Sequence, residues 1–93
     1  MCGIAGLQTR GRERVDEPRL GAMTDALAHR GPDDRTLLVA GSTGLGFRRL
    51  AIIDPAGGRQ PIFNEARDVA IIFNGELYNF RALRAELLTQ GHV

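Results

Sequence analysis

Thr36-Leu37-Leu38-Val39-Ala40-Gly41-Ser42-Thr43-Gly44-Leu45-Gly46-Phe47-Arg48-Arg49-Leu50-Ala51-Ile52-Ile53-Asp54 is the stretch whose reading decides the fold. An apolar run stops at Gly-Ser-Thr-Gly and resumes beyond it. This predicts two antiparallel strands, 36–40 and 45–54, joined by a four-residue turn. In the second strand, alternation puts Phe47, Arg49, Ala51 and Ile53 on one face, with Arg48, Leu50 and Ile52 on the other.

Upstream, Cys2 to Gln8 reads as a short buried strand carrying Ile4 and Leu7, followed by a polar loop over 9–15. Asp16 is placed to cap a helix whose first turn holds Glu17-Pro18. Leu20, Met23 and Leu27 form its apolar face, and it is expected to end near His29. Arg30-Gly31-Pro32-Asp33-Asp34 is turn chemistry. Downstream, Pro55 to Pro61 is a Gly/Pro-rich loop. Val69 to Phe73 is a continuous apolar run, expected as a strand covered on both faces. It ends at Asn74-Gly75. Asn79 can cap a last helix with Phe80, Leu83 and Leu87 on one face and Gly91 as its stop.

The expectation is an α+β fold of about four to five strands and two helices. The last residues, Gly91-His92-Val93, fall where a further strand is expected to pair, so the sheet is expected to have an open edge.

Composition narrows the function. The chain has 93 residues, 43% hydrophobic and 25% charged, with a formal net charge of +1, ordinary values for one small globular domain. No large field of one sign points to a nucleic-acid or membrane-surface partner. All 12 basic residues are arginines, spread along the chain. The single cysteine, Cys2, cannot form an intrachain disulfide and suits a reducing cytoplasm. One cysteine and two distant histidines make no zinc ligand set, so no metal is expected.

Cys2 can be an inert strand residue or a nucleophile. Removal of Met1 would give it a free α-amine, whose reference pKa near ~8 leaves part of it unprotonated at neutral pH. Such an amine can take the thiol proton without help from histidine. Attack on a carboxamide creates an oxyanion that needs donors. Asn74-Gly75 can supply a side-chain amide and a backbone N–H, or can be a turn only. Arg49 can clamp a carboxylate through two hydrogen bonds, or can be a surface residue or the partner of Asp54. Glu76 is either an acceptor for a substrate ammonium or a solvated loop charge. His29 reads as a helix-end residue rather than a general base.

Five segments, in order, carry a resemblance: Met1-Cys2-Gly3-Ile4-Ala5-Gly6, His29-Arg30-Gly31-Pro32-Asp33, Arg49-Leu50-Ala51-Ile52-Ile53-Asp54, Gln60-Pro61, and Phe73-Asn74-Gly75-Glu76-Leu77-Tyr78-Asn79. Together they resemble the class II glutamine amidotransferase domain, and within it the asparagine synthetase type. Branches that make glucosamine phosphate or phosphoribosylamine resemble H-x-R-W or H-x-R-Y where this chain has Phe47-Arg48-Arg49-Leu50.

The resemblance implies an N-terminal-nucleophile hydrolase fold, an αββα sandwich of which residues 1–93 are the N-terminal half. It implies glutamine hydrolysis that supplies ammonia to an ATP-dependent synthetase. Cys2 would be the nucleophile, and Asn74 with Gly75 the oxyanion hole. Arg49 would hold the glutamine α-carboxylate. Ile52, Ile53 and Glu76 would line the rest of the pocket. No cofactor is implied for these residues, since ATP and magnesium belong to a synthetase domain this chain lacks. The implied partners are glutamine and that domain, with a homo-oligomer also open. Two other readings stand beside this one: an amidase half coupled to a different acceptor, and an inactive fragment that associates through its open sheet edge.

Overall fold

A computed structural model describes residues 2–50 and 59–93. Five strands and two helices follow in the order β1 (Gly3–Gln8), α1 (Glu17–Asp25), β2 (Asp34–Ala40), β3 (Thr43–Arg49), β4 (Ile62–Phe63), β5 (Ala70–Ile71) and α2 (Phe80–Thr89). The class is α+β with two antiparallel sheets, a three-stranded one ordered β1-β3-β2 and a two-stranded ribbon, β4-β5.

The hairpin forms as an antiparallel pair, but its turn is tighter than four residues. Ala40 lies opposite Thr43, leaving Gly41-Ser42 as the loop. Gly41 has φ 58°, the positive value a two-residue hairpin wants at its first central position. Strand β3 is described from Thr43 to Arg49, and Leu50 lies outside the ladder. Residues 51–58, with Ile52, Ile53 and Asp54 among them, lie outside the described residues.

The alternation expected in β3 holds at Phe47 and Arg49, which share a face and are both buried. The opposite face receives α1. Its glycines are the reason the helix sits so close: a Cβ on Gly46 would run into Oγ1 of Thr24, and one on Gly44 would stand 2.8 Å from Leu20. Leu20 and Thr24 are fully buried, and Val15 completes this small core. Burying a leucine side chain this completely contributes about 1.5–3 kcal/mol. Thr24 costs nothing in unmet polarity, because its hydroxyl donates to the Leu20 carbonyl at 2.8 Å. The buried helical face is therefore Leu20, Gly21 and Thr24, with Met23 half-buried beside them and Leu27, also half-buried, beyond the end of the helix. α1 closes at Asp25, short of His29, and a series of turns carries the chain to Arg30. Asp16 caps it as expected, accepting from the Arg19 N–H at 3.3 Å.

β1 is an edge strand, and Ile4 is half exposed where burial was expected. The 69–73 run differs more. Only Ala70 and Ile71 are strand, paired with the unanticipated β4, and Val69, Ile71 and Phe73 are exposed. No described element of the chain covers this ribbon on both faces. Its turn is held by Asn64, whose side-chain oxygen accepts from the N–H groups of Asp68 and Val69, both at 3.0 Å. The ribbon lies beside the Phe47 face of the main sheet, sharing with it a hollow between Leu38, Leu45, Phe63 and Val69.

α2 starts after Asn79, whose side chain makes no capping hydrogen bond. It ends at Thr89 and is stopped by Gly91, φ 93°, with the His92 N–H reaching the Leu87 carbonyl and the Gly91 N–H that of Leu88. This pair of bonds is a Schellman stop.

Candidate functional site

The site forms where the start of β1, the end of β3 and the segment after β5 meet. Register fixes the first two: Gly3 faces Arg48, so Cys2 arrives beside Arg49 and Leu50. The Leu50 N–H points at the Cys2 sulfur, 3.5 Å away, putting a backbone donor on the thiol. Cys2 is half-buried and reduced. Asn74, 72 residues further on, donates its side-chain amide to the Cys2 carbonyl at 3.0 Å. An asparagine amide nitrogen carries two N–H groups, so this bond uses half of its donor capacity. Gly75 follows directly, with the Phe73 ring 3.1 Å from where its Cβ would stand. Glu76 is next and solvent-exposed.

The turn over 29–33 is a brace for this corner, a role its sequence did not declare. Arg30 donates from Nε to the same Cys2 carbonyl at 3.1 Å. Gly31 lies against the Arg48–Arg49 peptide, where a Cβ would overlap main-chain atoms that cannot move aside. Its carbonyl accepts from Arg48 Nε at 2.8 Å. Pro32 bridges to Arg49, and the Asp33 N–H donates to the Arg49 carbonyl at 3.0 Å. His29 is exposed and lies in the turns beyond α1, not at the helix end expected for it.

Arg49 is 5% exposed although it carries a full charge. Its guanidinium meets the Asp34 carboxylate at 3.1 Å; Asp54, the partner weighed from the sequence, lies outside the described residues. With Asp34, Thr36, Phe47, Arg59 and Gln60 it lines a recess of about 220 Å³. Buried cations are rare unless paired, and Arg49 meets this rule through Asp34 while lining the recess.

The structure thus brings Cys2, Arg49 and Asn74 into one corner, with Gly75 next in the chain, and leaves Glu76 exposed beyond them. Ile52 and Ile53 lie outside the described residues. Gln60 was expected only as part of a resembling dipeptide. Its side chain in fact grips the Phe73 backbone, accepting from the N–H at 2.6 Å and donating to the carbonyl at 2.8 Å. Among the described residues no group of three or more His, Cys, Asp or Glu could hold a metal ion. No described helix is long and apolar enough to cross a membrane.

A family model described as a glutamine amidotransferase domain matches residues 1–93. Similar proteins include asparagine synthetase [glutamine-hydrolyzing] 2 of Bacillus subtilis, 40% identical over 94% of this chain and 12% of that protein. Asparagine synthetase [glutamine-hydrolyzing] 3 of the same organism is 42% identical over 99% of this chain and 16% of its own length. The nodule asparagine synthetase of Pisum sativum is 42% identical over 94% of this chain and 15% of its own. The chain thus spans a small part of the length of each relative. No solved structure matches it.

Proposed function

We propose a function from one premise: this chain belongs to the glutamine amidotransferase domain family. In the protein that carries it, residues 1–93 form part of the site that hydrolyses glutamine and supplies ammonia for ATP-dependent asparagine synthesis. The observation that supports the reading is the 3.0 Å bond from the Asn74 side-chain amide to the Cys2 carbonyl, a carboxamide donor held on the backbone of the residue that carries the thiol.

The chemistry follows from that placement. With Met1 removed, the Cys2 α-amine takes the thiol proton and the sulfur attacks the glutamine γ-carbonyl carbon. The carbonyl electron pair moves to oxygen, where the second Asn74 N–H and the Gly75 N–H receive the charge. Collapse expels ammonia, protonated by the α-ammonium, and leaves a γ-glutamyl thioester. Water then gives its proton to the amine and attacks the thioester. The sum is glutamine and water to glutamate and ammonia, with the thiol regenerated. Arg49 is assigned the substrate α-carboxylate, and Glu76 the α-ammonium. Ile52 and Ile53 are assigned the intervening wall.

A helix layer, a main sheet and a ribbon beside its far face are compatible with half of an αββα sandwich, and the rest of that fold is part of the proposal. So is a C-terminal synthetase domain that holds ATP and magnesium. A cytoplasmic setting is supported by the unpaired Cys2. In the full-length protein, Cys2→Ala should abolish glutamate release from glutamine while synthesis from added ammonia continues. Persisting glutamine turnover would remove Cys2 from the mechanism.

A further inference from the structure

Asn74 must stand at a fixed distance from Cys2 if it is to receive an oxyanion, yet the ladder that carries it ends early. β4 and β5 pair only at Ile62 with Ile71 and Phe63 with Ala70. Continued by two residues, the same register sets Pro61 against Ile72 and Gln60 against Phe73. Proline has no N–H to offer a ladder. At the next position the side chain of Gln60 takes up the pairing: its oxygen accepts from the Phe73 N–H at 2.6 Å, and its nitrogen donates to the Phe73 carbonyl at 2.8 Å. A primary amide presents a donor and an acceptor side by side, as a strand backbone does. The next residue after this clamp is Asn74. Gln60 also lines the Arg49 recess, so one side chain touches both halves of the corner.

We propose that Gln60 is a positioning residue: its amide serves as the missing ladder partner of Phe73 and so fixes Asn74 and Gly75 relative to Cys2. This rests on the reading that Cys2 and Asn74 serve glutamine hydrolysis. Gln60 itself touches no reacting atom. It acts through the Phe73 backbone, and its loss lets the donors drift while leaving the thiol intact.

The test compares the unchanged chain with Gln60→Ala and Gln60→Glu. Three quantities are read: hydrogen exchange at the Phe73 N–H, Cys2 alkylation by a diazo-ketone analogue of glutamine, and Cys2 alkylation by iodoacetamide. Displacing an oxyanion donor should cost less than deleting one, so Gln60→Ala is expected to slow the glutamine-directed reaction about tenfold. Iodoacetamide labelling should be unchanged and Phe73 exchange faster. Gln60→Glu keeps the acceptor for the Phe73 N–H and should restore its protection and part of the labelling rate. Unchanged Phe73 exchange in Gln60→Ala overturns the proposal, as does equal slowing of both alkylations. If the unchanged chain reacts with iodoacetamide but not with the analogue, the glutamine reading fails. Phe73 exchange then decides the clamp alone: acceleration in Gln60→Ala supports it, and no change overturns it.

Discussion

Arg49 carries two demands that pull in different directions. It is nearly buried, so its charge needs a partner, and Asp34 provides one at 3.1 Å. In the role proposed for it, it must also turn part of its fork to a substrate carboxylate. The Asp34 side chain is 42% exposed, so water can solvate it when the pair loosens, and the pair contributes at most about 1 kcal/mol. A charge-assisted bond to a substrate is worth about 1.5–3 kcal/mol. Arg49→Ala should therefore raise the glutamine KM of the full-length protein by about ten- to a hundredfold. Arg49→Lys should recover only part, since a point charge replaces a planar fork. Steady-state kinetics decide it: an unchanged KM in Arg49→Ala would move the carboxylate elsewhere. Cys2 alone left two readings open, an inert strand residue or a nucleophile. No spacing rule joins residues 2 and 74; the need for oxyanion donors and the resemblance suggested the pair, and the fold brings the Asn74 amide to the Cys2 carbonyl. The clamp by Gln60 was hidden because it runs from side chain to backbone, a contact that leaves no periodicity.

At the scale of elements, α1 lies on β3 because β3 has no side chains under the Leu20–Thr24 stripe. Gly46→Ala puts a methyl group where Thr24 Oγ1 now lies. Thr24 is fully buried and bonded to Leu20, so it cannot swing away. Overpacking of this kind costs about 1–3 kcal/mol, and the urea midpoint should fall accordingly. Adding Thr24→Ser, which deletes the methyl but leaves the hydroxyl in place, should relieve little of it. Thr24→Ala removes the clashing oxygen and should recover part. An undiminished midpoint in Gly46→Ala would mean that the helix packs elsewhere. The hairpin itself was readable, since alternation and Gly41 act locally. The ends of its strands were not. At the end of β3 the Arg49 backbone meets the 29–33 brace, a contact distant in sequence that no local pattern announces. The apolar run at 69–73 was misread for a related reason. Continuous hydrophobicity shows that a surface wants covering, without saying that this segment of chain supplies the cover.

At the scale of the whole molecule, that uncovered surface is the main feature. Ile62, Val69, Ile71, Phe73, Leu77, Phe80, Leu87 and Leu88 are all about half exposed, more apolar surface than a small monomer usually shows. The 93 residues should therefore associate as concentration rises, which sedimentation velocity over a dilution series would register as a rising mean mass. A monomer at every concentration would contradict this. The central claim, that this corner is a glutamine-directed thiol site, is tested most directly by intact mass and peptide mapping after incubation with the diazo-ketone analogue. The account predicts loss of Met1 and a single adduct on Cys2, suppressed by excess glutamine. A processed chain whose Cys2 reacts with iodoacetamide but stays unmodified by the analogue would contradict it.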